Sequence, residues 1–288
     1  MTIWNLGSIN ADFVYSVSHI PAPGETLAST DRRMFLGGKG ANMSVAAARA
    51  AAHVNHIGAV GPDGKELVQR LLEYGVDTRN IANLDTETAQ AIIMVDPGGE
   101  NAIILHPGAN HKVPQAALQS ALSEAETGDW LIMQNETNLQ RTAAEMGRKM
   151  GLKVGYAAAP FSVERVQAVL EHLDFLILNA VEAEQLRQAT GQTPDTLPVE
   201  DVIVTLGAGG VDWYGNEGKA HFDAIPVDPV DTTGAGDTFT GYVLACLDRG
   251  QPMAQAIKTA IKAAAIMVTR HGTADVIPDL ADVQAFQQ

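Results

Sequence analysis

The chain has 288 residues, 46 % of them apolar, with 19 Lys and Arg against 34 Asp and Glu for a formal net charge of −15. That length holds one large α/β domain or two ordinary ones, and the composition is that of a globular chain, not a disordered one. The acidic balance argues against nucleic acid, which requires a basic footprint, and no apolar run reaches the roughly 18 residues of a membrane span. The start, Met1-Thr2-Ile3-Trp4-Asn5, lacks the basic end and long apolar stretch of a signal peptide. Cys246, the only cysteine, falls in an apolar helical pattern and reads as a core residue. A cytoplasmic location is expected.

Residues 3–6 read as a short apolar strand. Immediately after it, Gly7-Ser8-Ile9-Asn10-Ala11-Asp12 places two short polar side chains beyond a strand's C-terminal end, where α/β proteins bind ligands. Asp12 can accept from two adjacent hydroxyls, and Asn10 can donate and accept; alternatively both cap a turn. Strand signals alone fill 13–36, and Gly37-Gly38-Lys39-Gly40-Ala41-Asn42 then opens an alanine-dense helix over 41–52. A strand at 53–60 and a helix at 65–74, ended by Gly75, follow. His53 and His56 lie three apart in that strand, so a regular strand points them to opposite faces. Residues 89–105 again hold strands only: two apolar runs joined by Asp96-Pro97-Gly98-Gly99, a hairpin turn. His106 and His111, just beyond, read as loop residues and not as ligands.

Short apolar strands at 130–134, 153–157, 175–178 and 202–206 alternate with helical patterns near 138–150, 162–172 and 181–190. Strands separated by helices point to a largely parallel sheet covered on both faces. After Leu206 the alternation breaks: 211–214 and 221–225 read as a hairpin around Gly215-Asn216-Glu217-Gly218, and two long helices close the chain. There is no Gly-x-x-x-x-Gly-Lys-Ser/Thr loop and no zinc spacing, and neither glycine-rich turn completes Gly-x-Gly-x-x-Gly, so a dinucleotide-binding dehydrogenase is the weaker enzyme alternative.

The most informative stretch is Asp231-Thr232-Thr233-Gly234-Ala235-Gly236-Asp237 running into an apolar helical pattern. A helix N-terminus exposes unpaired N–H groups and partial positive charge, and glycine lets an anion come close. Asp237 in the first turn would sit beside that anion as a base, which is the pairing that phosphoryl transfer to an alcohol needs. An ordinary capped helix is the plainer reading of the segment alone.

Taken with Gly37 to Asn42, with Gly7 to Asp12, with Pro23-Gly24-Glu25-Thr26, and with Met133-Gln134-Asn135-Glu136, Asn179-Ala180-Val181-Glu182 and Thr205-Leu206-Gly207 in this order, the chain resembles the PfkB carbohydrate kinases, most of all the ribokinases. The resemblance runs nearly end to end. It implies an α/β fold, a ribokinase-like three-layer sandwich with a mostly parallel central sheet and a small β-sheet lid, in one domain over 1–288 with lid segments at about 12–36 and 89–106. It implies transfer of the ATP γ-phosphoryl group to O5 of D-ribose; another sugar, a ribonucleoside, or a catalytically silent binding module remain the alternatives. Asp237 is then the base, with Gly234, Ala235 and Gly236 forming the anion turn and the N–H groups of Ala235, Gly236 and Asp237 around the transferring phosphoryl. Asn10, Asp12, Gly38, Lys39, Asn42 and Glu136 hold the sugar, and Asn179, Thr205, Gly207, Gly210 and Gly236 the nucleotide. Glu182 holds Mg2+ through water. A potassium ion is implied beside the turn, with Asp231, Thr233, Val268 and Gly272 as candidates, although the loop after Gly272 lacks the serine of the ribokinases it most resembles. One lid face would cover substrate and the other would pack on a second subunit, giving a homodimer.

Overall fold

A computed structural model describes residues 1–286. It opens with β1 (Thr2–Leu6), β2 (Asn10–Ser16) and β3 (Asp31–Gly37), then α1 (Lys39–Arg49), β4 (His53–Val60), α2 (Lys65–Glu73) and β5 (Ile81–Asn83). The hairpin strands β6 (Ala89–Val95) and β7 (Asn101–His106) precede α3 (Gln115–Leu122). The alternating middle is β8 (Trp130–Gln134), α4 (Gln140–Met150), β9 (Lys153–Ala157), α5 (Val163–Val169), β10 (Phe175–Asn179), α6 (Ala180–Thr190) and β11 (Asp201–Thr205). The chain closes with β12 (Val211–Gly215), β13 (Gly218–Phe222), α7 (Ala235–Asp248), α8 (Met253–Val268) and a short α9 (Leu280–Ala285).

Nine strands form the main sheet in the order β13-β12-β11-β10-β9-β8-β1-β4-β5. From β11 to β5 every pairing is parallel, and only β12 and β13 run antiparallel at one edge. Successive side chains of a strand face opposite ways, and here both sets are buried. Ile3, Trp130, Ile132, Phe175, Ile177 and Ile203 join a core with α1, α7 and α8. Trp4, Leu131, Met133, Val154, Tyr156, Leu176 and Leu178 join a second core with α3 to α6. Continuous apolar runs such as Trp130-Leu131-Ile132-Met133 are what a strand covered on both faces requires. The result is a layer of helices on each side of the sheet.

The two strand-only segments pair with each other in a separate sheet, β3-β2-β6-β7. Its register places Asp12 opposite Ala91, and Ala91 opposite Leu105, on one face. Phe13, Ile92 and Ile104 share the other face.

Several boundaries differ from the sequence reading. The first helix begins at Lys39, inside the glycine-rich stretch, because Glu136 and Ser8 supply distant partners for its first N–H groups. The return strand of the last hairpin is Gly218–Phe222, three residues earlier than read, since Gly215 pairs directly with Gly218. The pattern at 162–172 is an α-helix only to Val169 and finishes as a tighter turn. α3, β5 and α9 were not anticipated; β5 is three residues long and offers too little periodicity.

Candidate active site

Two helix N-termini, α1 and α7, meet where β1 ends, and the protein treats them oppositely. At α1 the Lys39 N–H donates to the Glu136 carboxylate (3.1 Å), the Gly40 N–H to Ser8 Oγ (3.2 Å) and the Ala41 N–H to the Ser8 carbonyl (2.9 Å). This terminus is filled by the protein's own groups, with the carboxylate placed where the dipole favours an anion. At α7 the Ala235 N–H turns back to the Thr232 carbonyl (3.2 Å) and the Thr238 N–H bonds Gly234 (2.8 Å). Among the described residues nothing accepts from the Gly236 or Asp237 N–H. An added Cβ on Gly236 would meet no atom within 4 Å, so the approach to these donors is open. Ala235 was expected among the anion donors; in this conformation its amide belongs to the turn.

Gly234 makes that turn in the left-handed region (φ 77°). A Cβ there would lie 2.9 Å from Met267 Cε and 3.3 Å from Asn42 Nδ2. Asn42 in turn donates from Nδ2 to Asp237 Oδ2 (2.9 Å). Asp237 is buried, and its Oδ1 has no protein partner among the described residues. The helix opened by the first glycine stretch thus orients the carboxylate opened by the second.

Two acceptors close by are buried with nothing among the described residues donating to them: Asp12 Oδ1 and Asn42 Oδ1. A buried polar atom without a partner costs free energy until something supplies one. Hydroxyl donors of a sugar would do so. Burial, and secondarily the Glu136 charge, push the Asp12 carboxyl up to about 7. Asp12 also requires Gly37 across the β2–β3 pair, since a Cβ on that glycine would fall within 1.9 Å of its carboxylate. Glu136 is fixed by Ser8 Oγ, which donates to it at 2.5 Å. Lys39 is half-buried and held above the usual lysine range, chiefly by Asp237, then by Glu136 and Glu182. It therefore lies within the field of Asp237, Glu136 and Glu182 together.

Three groups to which the sequence reading gave no role in the site position this centre. Asn110 is buried; its Oδ1 accepts from Ile9 N (3.0 Å) and its Nδ2 donates to Asn10 Oδ1 (2.8 Å). That leaves the amino side of the Asn10 amide for a ligand. Ser8 anchors Glu136 and the first turn of α1. Beneath them His56 is fully buried, bridging Ser44 Oγ (2.8 Å) and the Gly7 carbonyl (3.1 Å), and burial pushes its pKa down to about 4. Ser8 sits inside a stretch already singled out; Asn110 lies about a hundred residues from Asn10 and carried no local signal. A cavity of about 270 Å³ beside Asn10 and Glu136 is lined further by Asn110, His111, Asn135 and Arg165. His111 is thus part of the site's wall.

Of the residues expected to hold a nucleotide, Thr205, Gly207, Gly210 and Gly236 line one cleft of about 590 Å³, together with Ile225, Val227, Phe239, Ile261, Ala264 and Val268. Asn179 and Glu182 cap α6 reciprocally, Asn179 Oδ1 accepting Glu182 N (2.9 Å) and Glu182 Oε2 accepting Asn179 N (2.8 Å). Burial raises the Glu182 pKa, partly offset by the Asn179 N–H and Lys39. Its Oε1 is left over. For a cation, the four candidates do come together: Asp231 Oδ1 accepts from Thr233 N (2.9 Å) and Oδ2 from Gly272 N (3.4 Å). Val268, however, already accepts two N–H groups, from Val230 (2.7 Å) and Asp231 (3.1 Å), so its carbonyl is not available as a ligand in this conformation. No cluster of three or more His, Cys, Asp or Glu stands ready for a metal among the described residues.

The geometry has counterparts. The chain matches the family model described as pfkB family carbohydrate kinase over residues 3–280. It is 35 % identical to the ribokinase of Haemophilus influenzae, covering 99 % of this chain and 98 % of that one. A crystal structure of ribokinase from Thermotoga maritima superposes with a TM-score of 0.89 at 31 % identity, covering 99 % of this chain and 98 % of that one. The structure of Arabidopsis thaliana ribokinase complexed with ribose and ATP superposes with a TM-score of 0.86 at 25 % identity, covering 99 % of both chains. Matched over nearly its whole length, the chain belongs to the pfkB family of carbohydrate kinases, and its chemistry is ATP-dependent phosphorylation of a sugar.

Proposed function

We propose that this protein transfers the γ-phosphoryl group of ATP to the O5 hydroxyl of D-ribose. The observation that carries the reading is the juxtaposition at α7: among the described residues, a carboxylate oxygen of Asp237 has no partner, and beside it two N–H groups have no acceptor. Asp12 Oδ1 and Asn42 Oδ1, the buried unpartnered acceptors, take sugar hydroxyls, with Asn10 and Glu136 completing the set. Lys39 donates between the sugar and the phosphates. The O5 proton passes to Asp237 as O5 attacks the γ-phosphorus. The O5–P bond forms, the bond to the bridging oxygen breaks, and its electron pair leaves on ADP. The Gly236 and Asp237 N–H groups face the charge on the transferring phosphoryl, where fixed donors act most strongly.

Mg2+ on the phosphates supplies charge neutralisation when bound. Glu182 and Asn179 are the groups suited to order its water shell, through the Glu182 Oε1 left over from the capping pair. The net charge of −15 makes such local positive charge necessary for an anionic nucleotide. A potassium ion would sit on Asp231, the Thr233 carbonyl and backbone near Gly272, stiffening the anion turn; oxygen ligands and one carboxylate suit such an ion. Equal rates in sodium-only and potassium buffers of matched ionic strength would exclude it. A coupled ADP-release assay over a panel of sugars and nucleosides tests the substrate. Turnover on ribose is expected, turnover confined to nucleosides removes ribose, and turnover on nothing leaves a binding module.

A further inference from the structure

The nucleotide cleft is lined by eighteen residues of which only Thr205 and Thr232 carry polar side chains. The Thr205 hydroxyl points back to the Leu178 carbonyl (3.5 Å), and Thr232 lies in the turn that leads to the anion donors at Gly236 and Asp237. The remainder of the cleft is a slot between two apolar walls. One is the segment Ala224-Ile225-Pro226-Val227 with Pro229; the other is the face of α8 carrying Ile261, Ala264, Ala265 and Val268. Two of the loop's positions are proline and have no N–H to offer.

A planar purine gains burial and dispersion between such walls whatever its edge substituents. Discrimination between bases has a different source. A site that hydrogen-bonds a substrate group rejects the analogue lacking it by about 10⁴–10⁵-fold, whereas an apolar pocket separates near-isosteres by only about 10²-fold or less. Adenine and guanine differ only at groups that must be read by donors and acceptors, and the slot's side chains provide neither.

Resting on the kinase reading above, we propose that the donor site accepts purine nucleoside triphosphates as a class, recognising the triphosphate at α7 and the flat apolar body of the base but not its identity. The test compares kcat/KM for ATP, GTP and ITP at saturating sugar. Values within about tenfold of one another are expected. A preference for ATP of more than about a hundredfold would overturn the inference while leaving the sugar-kinase reading intact, and would report a backbone group of the 224–229 segment reading the adenine edge. Calorimetric binding of ADP, GDP and IDP decides the matter independently of turnover. Similar affinities support the proposal, and binding of ADP alone defeats it. Ala264→Leu, which narrows the slot, should weaken all three diphosphates to a similar extent; a loss confined to one base would contradict a base-indifferent slot.

Discussion

Asp237 has one carboxylate oxygen held by Asn42 and one left open, so its geometry survives loss of the charge better than its chemistry does. Asp237→Asn should keep the fold and the sugar affinity and lower kcat by about 10²–10⁴-fold, the usual worth of a general base. Circular dichroism and a single-turnover assay would check this, and near wild-type turnover would remove Asp237 from its role. Asp12 makes a different prediction. Its carboxyl is raised by burial, then by Glu136, from 3.8 to about 7. A folded-state value above the unfolded one means the folded protein binds the extra proton, so this stabilising contribution is complete below about pH 4 and is lost as pH rises through about 7. The denaturant midpoint of the wild type, measured relative to Asp12→Asn, should therefore fall between pH 4 and 7. His56, depressed to about 4 from 6.5, acts oppositely by favouring the folded state at higher pH, and the difference between the two proteins cancels its effect. A midpoint difference that is flat across the window would contradict the assignment.

At the scale of elements, both glycine-rich stretches were legible as helix openings, and with the other ordered motifs they carried the resemblance to the family. What could not be read locally was that one N-terminus is closed and the other open. The closing groups on α1 are Glu136, 97 residues from Lys39, and Ser8, 32 residues from Gly40. A helix start looks the same in sequence whether a distant carboxylate fills it or not. The open end of α7 depends on Gly234. Alanine there would occupy the left-handed region at about 1–2 kcal/mol and press on Met267 and the Asn42 amide that holds Asp237. Gly234→Ala should lower the denaturation free energy by about that amount and reduce kcat together with it. A variant with unchanged stability and rate would show that the turn tolerates a side chain.

For the whole molecule, the lid raises the question of assembly. Ile92 and Ile104 sit on the lid face opposite Asp12, and Ile104 is 60 % exposed. Apolar strand surface of this kind seeks cover, and the proposed cover is the lid of a second copy. Light scattering at micromolar concentration should give a dimer mass, and Ile104→Lys should shift it towards the monomer; a monomeric wild type would contradict the proposal. The register answers a point that composition left open, namely which isoleucines face away from the sugar. The sequence by itself determined the strand and helix alternation, the doubly covered parallel sheet and the two strand-only segments, because these follow from local periodicity and turn residues; Asp237 as the base came from the resemblance and stands as a proposal. Only the tertiary structure decided how the site is held: Asn110 orienting Asn10 from 100 residues away, Asn42 holding Asp237 from 195, and the apolar cleft built from separate segments. Hydrogen-bond partnership and cavity walls arise from long-range packing, and no pattern along a single stretch of chain carries them.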